Sequence, residues 1–311
     1  MLAPNGTAQH LTRPEGTALP GTLVRKSEPE EVLITDWHRL GTDTHRVAAV
    51  WPSSHRFYRP RPEAYSSLLF IETARQTLAL LSHTAYHIPL DYRLGWEYCC
   101  SVIAPTALHA LQEEPAVVEL TVTHLAPVQR RWRGSARLAA HIQATREGEP
   151  LGAVSIKYTA HPPAIYERLR GAHRDAQQVT AHAPPPADPV CADLVGRPHY
   201  DDVVLSPASG PRCWQLRVDT AHPVLFDHAH DHIPGMVLLE AVDQALQYMS
   251  GPEPATPVTC RTRFTRYTEL DAPCWIEASP LERPQPGISH TEINGTQNGQ
   301  TTFTTHVVAQ N

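Results

Sequence analysis

The sequence has almost no lysine. Of its 26 basic residues only Lys26 and Lys157 are lysines, which leaves 24 arginines in a chain of 311 residues. The formal net charge at pH 7 is −6, and the isoelectric point is near 6.3. A generally basic nucleic-acid-binding protein is therefore excluded, because neutralising a row of phosphates needs clustered positive charge. Any phosphate or carboxylate that the chain binds is expected to be held by arginine side chains.

Long apolar runs and paired cysteines are also missing. No window of about 18 apolar residues is present, so no membrane-spanning helix is expected. The beginning of the sequence has no charged segment leading into an apolar run, so no signal peptide is expected. The six cysteines include no C-x-x-C pair, which argues against a zinc ribbon or a disulfide framework. These absences together predict a cytoplasmic protein without a membrane partner.

Two polar stretches divide the chain. Residues 1–28 are rich in Gly, Pro and Thr and lack hydrophobic periodicity, so they are expected to form a flexible arm. Residues 171–200 contain a Pro-Pro-Pro run, which is typical of a stiff linker. Residues 29–170 and 201–311 are each of domain size and are predicted to form two domains.

The two predicted domains carry the same helix. Residues 67–82 (SLLFIETARQTLALLS) align with residues 236–250 (MVLLEAVDQALQYMS) at an offset of 168. Apolar residues recur at spacings of 3, 4 and 3 in each segment, which places them on one stripe of an amphipathic helix. Each helix also contains Glu-x-x-x-Gln, so a carboxylate and an amide lie one turn apart on a common face. The pairs are Glu72 with Gln76 and Glu240 with Gln244.

The predicted strands repeat around these helices as well. A strand-like run precedes each helix (residues 45–52 and 213–223), several alternating runs follow, and a turn-rich hairpin closes each copy near residues 146–150 and 294–299. One amphipathic helix beside several antiparallel strands buries its apolar stripe only by lying across the sheet. The sequence therefore predicts an α+β fold, a double hotdog in which two antiparallel sheets each wrap around a central helix. No G-x-G-x-x-G or P-loop motif indicates a nucleotide cofactor.

A histidine-rich segment leads into the second helix. Residues 222–240 read HPVLFDHAHDHIPGMVLLE, and Pro234 stands where a helix would begin. The first backbone N–H groups of a helix have no intrahelical partner, and the positive end of the helix dipole favours negative charge. The N–H groups of Gly235 and Met236 are therefore predicted to stabilise a developing oxyanion.

The same segment supplies candidate proton-transfer groups. Glu240 is flanked by apolar residues and is predicted to be a buried general base, assisted by His228 or His232; the alternative is a glutamate on the helix surface. The run from His228 to His232 is one residue short of the H-x-H-x-D-H signature of binuclear metallo-hydrolases. No metal is expected, because metal ligands must converge on one ion at a fixed distance.

Arginine-bearing clusters are the candidate binding groups. Glu72, Arg75 and Gln76 share a helix face and are predicted to line the substrate site together with Gln244; the alternative is an exposed ion pair. Arg266 follows an aromatic residue on a predicted strand and is placed on its inward side. A buried arginine needs an anionic partner, so Arg266 is the candidate ligand for a phosphate or carboxylate.

A second basic cluster lies between predicted strands. Residues 129–133 read QRRWR and contain Arg130, Arg131 and Arg133. This cluster is either a docking surface for an acidic partner or a solvated hairpin, and the sequence does not decide between them.

Several long motifs together indicate a known family. They are WQLRVDTAHPVLFDHAHDHIPGMVLLEAVDQA, FTRYTELDAPCWIEA, IETARQTLALLSHTAYHIPL, YERLRG and DDVVLSP. From about residue 30 onward, the chain resembles the A-factor synthase family of bacterial γ-butyrolactone signal biosynthesis. The resemblance implies tandem hotdog domains and an acyltransferase. Members transfer a β-ketoacyl group from an acyl carrier protein thioester to a hydroxyl of dihydroxyacetone phosphate, and the ester then cyclises to a butenolide phosphate.

The resemblance also implies roles for the candidate residues. Glu240 would accept the proton of the hydroxyl, Gly235 and Met236 would hold the oxyanion, and Arg266 would hold the phosphate. The acidic carrier protein would dock near the arginines of residues 129–133. No metal or redox cofactor is expected, because a thioester is already activated. The sequence does not fix the oligomeric state, and a homodimer stays open.

Two positions depart from related patterns and keep alternatives open. The helix segment also looks like that of the hotdog β-hydroxyacyl-carrier-protein dehydratases, but their histidine corresponds to Phe226 here. The second copy of the A-factor synthase family usually has an arginine where this chain has Asp243. The alternatives are a hotdog thioesterase or dehydratase, and a non-catalytic module that binds acyl chains or lactones.

Overall fold

A computed structural model describes residues 19–110, 114–125, 129–130, 134–251, 254–281 and 286–310. In this part of the chain, 13 strands form one sheet, and two long helices pack against it. No helix of the described residues is both long and apolar enough to cross a membrane.

The two halves repeat one order of elements: two strands, a long helix, and then further strands. The strands are β1 Ile34–Arg39, β2 Thr44–Trp51, β3 Arg93–Ile103, β4 Ala116–His124, β5 Gln129–Arg130, β6 Ala136–Arg146, β7 Glu149–His161, β8 Leu205–Pro207, β9 Cys213–Leu216, β10 Thr256–Phe264, β11 Cys274–Pro280, β12 Ile288–Gln297 and β13 Gln300–Gln310. The helices are α1 Gly21–Val24, α2 Ser67–Thr84, α3 Pro163–Arg170, α4 Ala176–Ala181 and α5 Gly235–Ser250. Short 3-10 turns lie at Pro29–Glu31, Pro105–Leu108, Gly171–His173, Ala192–Val195 and Tyr200–Asp202.

The sheet is symmetric about its middle. Its strand order is β1-β2-β4-β6-β7-β3-β10-β13-β12-β11-β9-β8, with β5 beside β6, and the paired strands are antiparallel. The halves meet where β3 pairs with β10, with Cys99 opposite Thr262. The predicted double hotdog is confirmed, and its two sheets are joined edge to edge into one.

The two predicted helices are confirmed as α2 and α5. Both are buried along most of their length: α2 contacts β1 and β3, α5 contacts β8, β11 and β12, and the two helices contact each other. They begin differently: the Ser66 hydroxyl accepts a hydrogen bond from the N–H of Leu68 at 3.2 Å, whereas α5 follows Pro234, which has no capping side chain. The N-terminus of α5 therefore keeps free donors.

Buried and outward-pointing residues alternate along the strands, so the apolar side chains lie on one face of the sheet. In β4, Val118, Leu120 and Val122 are fully buried, while the residues between them point outward. The two predicted hairpins are also confirmed. Each turns on two residues with positive φ, Glu147–Gly148 and Asn298–Gly299, which is the geometry of a tight β-hairpin.

Two segments predicted to lie outside the domains belong to the packed structure. Residues 1–18 of the predicted flexible arm lie outside the described residues. For residues 19–28 the expectation is corrected, since α1 contacts α2, and Val24 and Lys26 are buried. The predicted linker contains α4 and two helical turns, and its Arg197 is only 3% exposed. Composition alone misled here, because these segments enter the core through charged side chains that are paired inside the protein.

Candidate active site

A cavity of about 430 Å³ lies between the two halves. Its walls come from α2, from the histidine-rich segment with the start of α5, and from the adjoining ends of β3 and β10. Seven predicted site residues line it: Glu72, Arg75, His228, His232, Gly235, Met236 and Arg266. Gln76, Glu240 and Gln244 do not line it.

His232 is paired with a carboxylate. Its Nδ1 lies 2.8 Å from Oδ1 of Asp231. A carboxylate accepts hydrogen bonds, so in the neutral imidazole Nδ1 carries the proton and Nε2 is the acceptor nitrogen. Among the described residues Nε2 has no hydrogen-bond partner. An imidazole oriented in this way by a carboxylate is suited to act as a general base.

Helix α3 holds that carboxylate in place. Tyr166 Oη donates to both oxygens of Asp231, at 3.0 and 2.8 Å, and Arg170 Nε donates to Oδ2 at 2.7 Å. Arg170 Nη2 also donates to the backbone oxygen of Asp231 at 2.6 Å. Burial alone would raise the pKa of Asp231, but the hydrogen bond and charge of His232, the Tyr166 hydroxyl and the Arg170 charge hold it well below its ordinary value. Asp231 is therefore ionised.

The N-terminus of α5 faces the same cavity. The N–H groups of Val237 and Leu238 donate to the oxygen of Pro234, at 3.0 and 3.4 Å. The N–H groups of Gly235 and Met236 have no acceptor in the described part of the chain, and both residues line the cavity. This matches the predicted oxyanion-binding position.

Glu72 is the buried carboxylate of α2 at the cavity wall. Arg75 donates to both of its oxygens, at 2.7 and 2.8 Å, Gln76 Nε2 donates at 2.9 Å, and Lys26 Nζ lies 3.5 Å away. Burial alone would raise the pKa of Glu72, but the charges of Arg75 and Lys26 and these hydrogen bonds lower it to about 2. At neutral pH Glu72 is a fixed negative charge rather than a base.

Glu240 lies apart from the cavity. Its carboxylate is bidentate to Arg197, from Nε to Oε1 at 2.8 Å and from Nη2 to Oε2, and Gln244 Nε2 donates to Oε1 at 2.5 Å. Burial raises the pKa of Glu240, and the Arg197 charge opposes that rise. The structure therefore confirms that Glu240 is buried, but it does not place the carboxylate where a general base of this cavity must lie: Arg266 lines the cavity and Glu240 does not.

The two glutamates belong to internally equivalent networks. Gln76 accepts from the N–H of Leu33 and donates to the oxygen of Glu31, just as Gln244 accepts from Val204 and donates to Asp202. His55 and His222 also match. Each accepts two backbone N–H bonds at Nδ1, and each has its Nε2 near a carboxylate, that of Glu31 at 3.3 Å or of Asp202 at 3.1 Å. The duplication thus extends to the polar interior.

Two other histidines of the histidine-rich segment, His228 and His230, form a cluster with Asp227. His228 Nδ1 lies 2.6 Å from Asp227 Oδ1, and the His228 and His230 rings are 4.1 Å apart. Burial, with the neighbouring His228 and His232, lowers the pKa of His230 to about 3, so it is neutral. Ligand atoms of Asp227, His228 and His230 lie within 4.8 Å of one another and could hold a divalent ion. The absence of a metal from the reaction stays a prediction.

The predicted arginine sites fall into two groups. Arg266 lines the cavity and is exposed, and it makes no ion pair within the described residues. The side chains of Arg130, Arg131 and Arg133 lie outside the described residues, so a docking role for them stays a prediction.

Several residues of the site and of the buried networks around it were not predicted from the sequence. Lys26, Tyr166 and Asp231 line the cavity, Arg170 binds Asp231, and Arg197 belongs to the separate network of Glu240. A signal was present for two of them: Lys26 and Arg197 are 171 positions apart, as are Glu31 and Asp202. Extending the internal repeat upstream of the helices would have paired these residues.

Comparison with solved structures supports the fold alone. An acyl-ACP thioesterase from Bacteroides thetaiotaomicron superposes with a TM-score of 0.51 at 9% identity, covering 86% of this chain and 98% of that chain. A structure described as an oleoyl thioesterase from Lactobacillus plantarum gives 0.50 at 11% identity, covering 85% and 96%.

Comparison of sequences identifies the family. The profile of the A-factor biosynthesis hotdog domain matches residues 7–162 and 178–309. A 2-oxo-3-(phosphooxy)propyl 3-oxoalkanoate synthase from Streptomyces virginiae is 37% identical over 288 residues, covering 92% of this chain and 96% of the relative. A synthase of the same name from Streptomyces coelicolor is 36% identical over 300 residues, covering 94% and 92%. The chain therefore belongs to the A-factor biosynthesis hotdog domain family.

Proposed function

We propose that the protein is an acyltransferase that joins a 3-oxoacyl thioester to dihydroxyacetone phosphate. The product is a 2-oxo-3-(phosphooxy)propyl 3-oxoalkanoate, as in the names of the relatives. The observation that carries the proposal is a single cavity containing both the Asp231–His232 pair and the free N–H groups at the start of α5. A base and an oxyanion site are what acyl transfer from a thioester to a hydroxyl requires.

The reaction follows from these groups. Nε2 of His232 takes the proton from the hydroxyl of dihydroxyacetone phosphate while that hydroxyl oxygen attacks the thioester carbonyl. The resulting oxyanion accepts hydrogen bonds from the N–H groups of Gly235 and Met236. The intermediate collapses, the carbon–sulfur bond breaks, and the proton on His232 passes to the departing thiolate. Ester and free thiol are formed in equal amounts.

The ester carries the groups for ring closure. Its methylene lies between two carbonyls and is acidic, and it can attack the ketone of the dihydroxyacetone unit. Loss of one water molecule then gives the butenolide phosphate. This step needs no group beyond a proton acceptor and donor, so it proceeds in the cavity or after release.

The role of Glu240 changes under this proposal. Since Arg197 and Gln244 bind its carboxylate, Glu240 stabilises the second half instead of accepting the substrate proton. Glu72 is its equivalent at the cavity, and it holds Arg75 there. The donor is proposed to be carried by an acyl carrier protein, with the arginines of residues 129–133 as the docking surface.

The test is a stoichiometric assay of the purified protein. A 3-oxoacyl thioester is supplied with and without dihydroxyacetone phosphate, thiol release is followed, and the product is identified by mass spectrometry. We expect thiol release to depend on dihydroxyacetone phosphate and to equal the ester formed. Thiol release that ignores the acceptor would make the protein a thioesterase. Binding without turnover would make it a non-catalytic module.

A further inference from the structure

Arg25 is a cation held by neutral groups. It follows α1 as the C-cap residue, in the left-handed conformation that commonly ends a helix. Its Nη2 donates to the oxygens of Leu90 at 3.3 Å and Tyr92 at 2.5 Å, and contacts Nε2 of His83 at 3.3 Å. His83 Nδ1 lies 2.7 Å from the oxygen of Ile88, so it is the donor there and Nε2 is a neutral acceptor. None of these groups carries negative charge.

The guanidinium of Arg25 also lacks a counterion. In the described part of the chain no carboxylate lies within ion-pair distance of it, and its buried Nε has no acceptor. A desolvated cation without a paired anion is costly, and an unmade buried hydrogen bond adds to that cost. The cavity, which Arg25 lines, is where an anion can reach it.

Two further arginines converge on the same place. Arg75 Nη2 donates to the oxygen of Val24 at 3.2 Å, directly before Arg25, and Arg93 directly follows Tyr92, whose oxygen Arg25 binds. Both line the cavity. Burial, and then the charges of Arg93 and Arg75, lower the pKa of Arg25 to about 10. Glu72 neutralises Arg75, and within the described residues neither Arg25 nor Arg93 has an acidic partner.

We infer that Arg25, Arg75 and Arg93 form the phosphate-binding site of the cavity, and that the phosphate is that of the three-carbon acceptor. This inference rests on the proposed function for the identity of the substrate. A phosphate monoester supplies the missing negative charge and several acceptor oxygens, for which arginine forks are the fitting donors. The predicted phosphate ligand Arg266 lines the same cavity, and its role stays a prediction.

The thioester donor could supply a second phosphate. The pantetheine arm of a carrier-protein thioester also carries a phosphate, and it could enter the same cavity. The kinetic measurement must therefore vary the acceptor alcohol and the thioester donor separately.

The first arm measures binding of inorganic phosphate by calorimetry, without any turnover. We expect the wild type to bind, and Arg25→Met to bind about 10- to 100-fold more weakly, as for loss of charge-assisted hydrogen bonds. Arg93→Met, at an exposed position, is the second variant in case Arg25→Met fails to fold. Arg46→Met, on an exposed position of β2, is the matched control and should bind as the wild type does. Unchanged affinity in both site variants, or no binding by the wild type, overturns the proposal.

The second arm compares kcat/KM for dihydroxyacetone phosphate and for dihydroxyacetone. In Arg25→Met we expect kcat/KM for dihydroxyacetone phosphate to fall by about 10- to 100-fold. We expect kcat/KM for dihydroxyacetone to stay at the wild-type value. If the variant instead stops distinguishing acyl-phosphopantetheine from acyl-pantetheine, the phosphate belongs to the donor and the assignment to the acceptor is wrong. If no ester forms in any case but phosphate binding still needs Arg25, the proposed function fails while the phosphate site stands.

Discussion

At the scale of single residues, two positions distinguish the otherwise matching networks of Glu72 and Glu240: Lys26 corresponds to Arg197, and Arg75 corresponds to Asp243. Lys26 lies 3.5 Å from Glu72 and leaves room for Arg75 at the cavity wall. Arg197, at the equivalent position, binds Glu240 with two parallel hydrogen bonds. A guanidinium fork matches a carboxylate in a way that a single ammonium cannot. Each buried glutamate thus has one bidentate arginine, which is Arg75 of α2 in the first half and Arg197 of the segment between the halves in the second.

The oxyanion role of α5 can be tested by removing one N–H. Gly235 is the first residue of α5, where proline is tolerated because its φ suits a helix start. Gly235→Pro should lower kcat by about 100- to 1,000-fold, as for loss of one oxyanion donor. Gly235→Ala keeps the N–H, and its Cβ would meet Phe264 at an ordinary 3.9 Å, so it should retain near wild-type kcat. Equal activity of both variants would remove this N–H from the mechanism.

A buried histidine pair predicts the acid sensitivity of the fold. Burial, with a smaller contribution from His45, lowers the pKa of His124 from 6.5 to about 4. Protonation therefore favours the unfolded chain, and stability present above pH 6.5 is lost as the pH falls toward 4. Between pH 7.5 and pH 5, His124 alone should cost about 2 kcal/mol of unfolding free energy.

Denaturant titrations at the two pH values check this expectation. His124→Gln should show a smaller loss of unfolding free energy than the wild type between them. His199→Gln, at an exposed position, is the control and should behave as the wild type does. An unchanged pH dependence in His124→Gln would show that the histidine is not the responsible group.

The sequence predicted many of the residues that line the cavity, including His232, but it also assigned to them Glu240, which does not line the cavity. The Pro-Gly pair predicted the start of α5, because a helix start is a local feature, and Gly235 and Met236 line the cavity there. Glu240 follows on the same helix and was assigned to the same site. Its partner Arg197 comes from a segment 43 residues earlier, so only the folded structure shows that its carboxylate is occupied. Tertiary contacts of this kind leave no local pattern.

At the scale of elements, the segment between the halves does more than connect them. Helix α3 reaches Asp231 through Tyr166 and Arg170, and α4 reaches the backbone of His230 through Thr180 at 3.0 and 3.2 Å. Two adjacent residues in the middle of the histidine-rich segment are thereby held in place. The proline-rich composition predicted a linker, but it could not show that short helices within it orient the residues of the site.

Tyr166→Phe tests the contribution of α3. The change removes two hydrogen bonds to Asp231 and keeps the buried ring, so it should lower kcat by about 3- to 10-fold with little change in KM. Tyr200→Phe, at an exposed position, is the matched control. If steady-state kinetics show an unchanged kcat for Tyr166→Phe, then α3 does not position the His232 base through Asp231.

At the scale of the whole molecule, the duplicated fold contains two versions of the same cavity: an open version with the Asp231–His232 pair, and a counterpart lined by Arg197 and Asp243. The open version combines α2 of the first half with the histidine-rich segment of the second. The counterpart combines α5 with the equivalent part of the first half, where Arg197 reaches the oxygen of Phe57 at 2.6 Å. The internal repeat predicted the fold and both helices. It did not predict that each site is shared across the halves, since pairing of β3 with β10 is a long-range contact.

Catalysis at the open site alone is the central claim, and a comparison of two variants tests it. Asp243 occupies the position equivalent to Arg75 and lines the counterpart cavity. The measurement is kcat/KM for ester formation from 3-oxoacyl thioester and dihydroxyacetone phosphate in His232→Ala and Asp243→Asn. We predict a loss of about 100- to 10,000-fold in His232→Ala and less than about 3-fold in Asp243→Asn. Retained activity in His232→Ala, with a large loss in Asp243→Asn, would contradict the account.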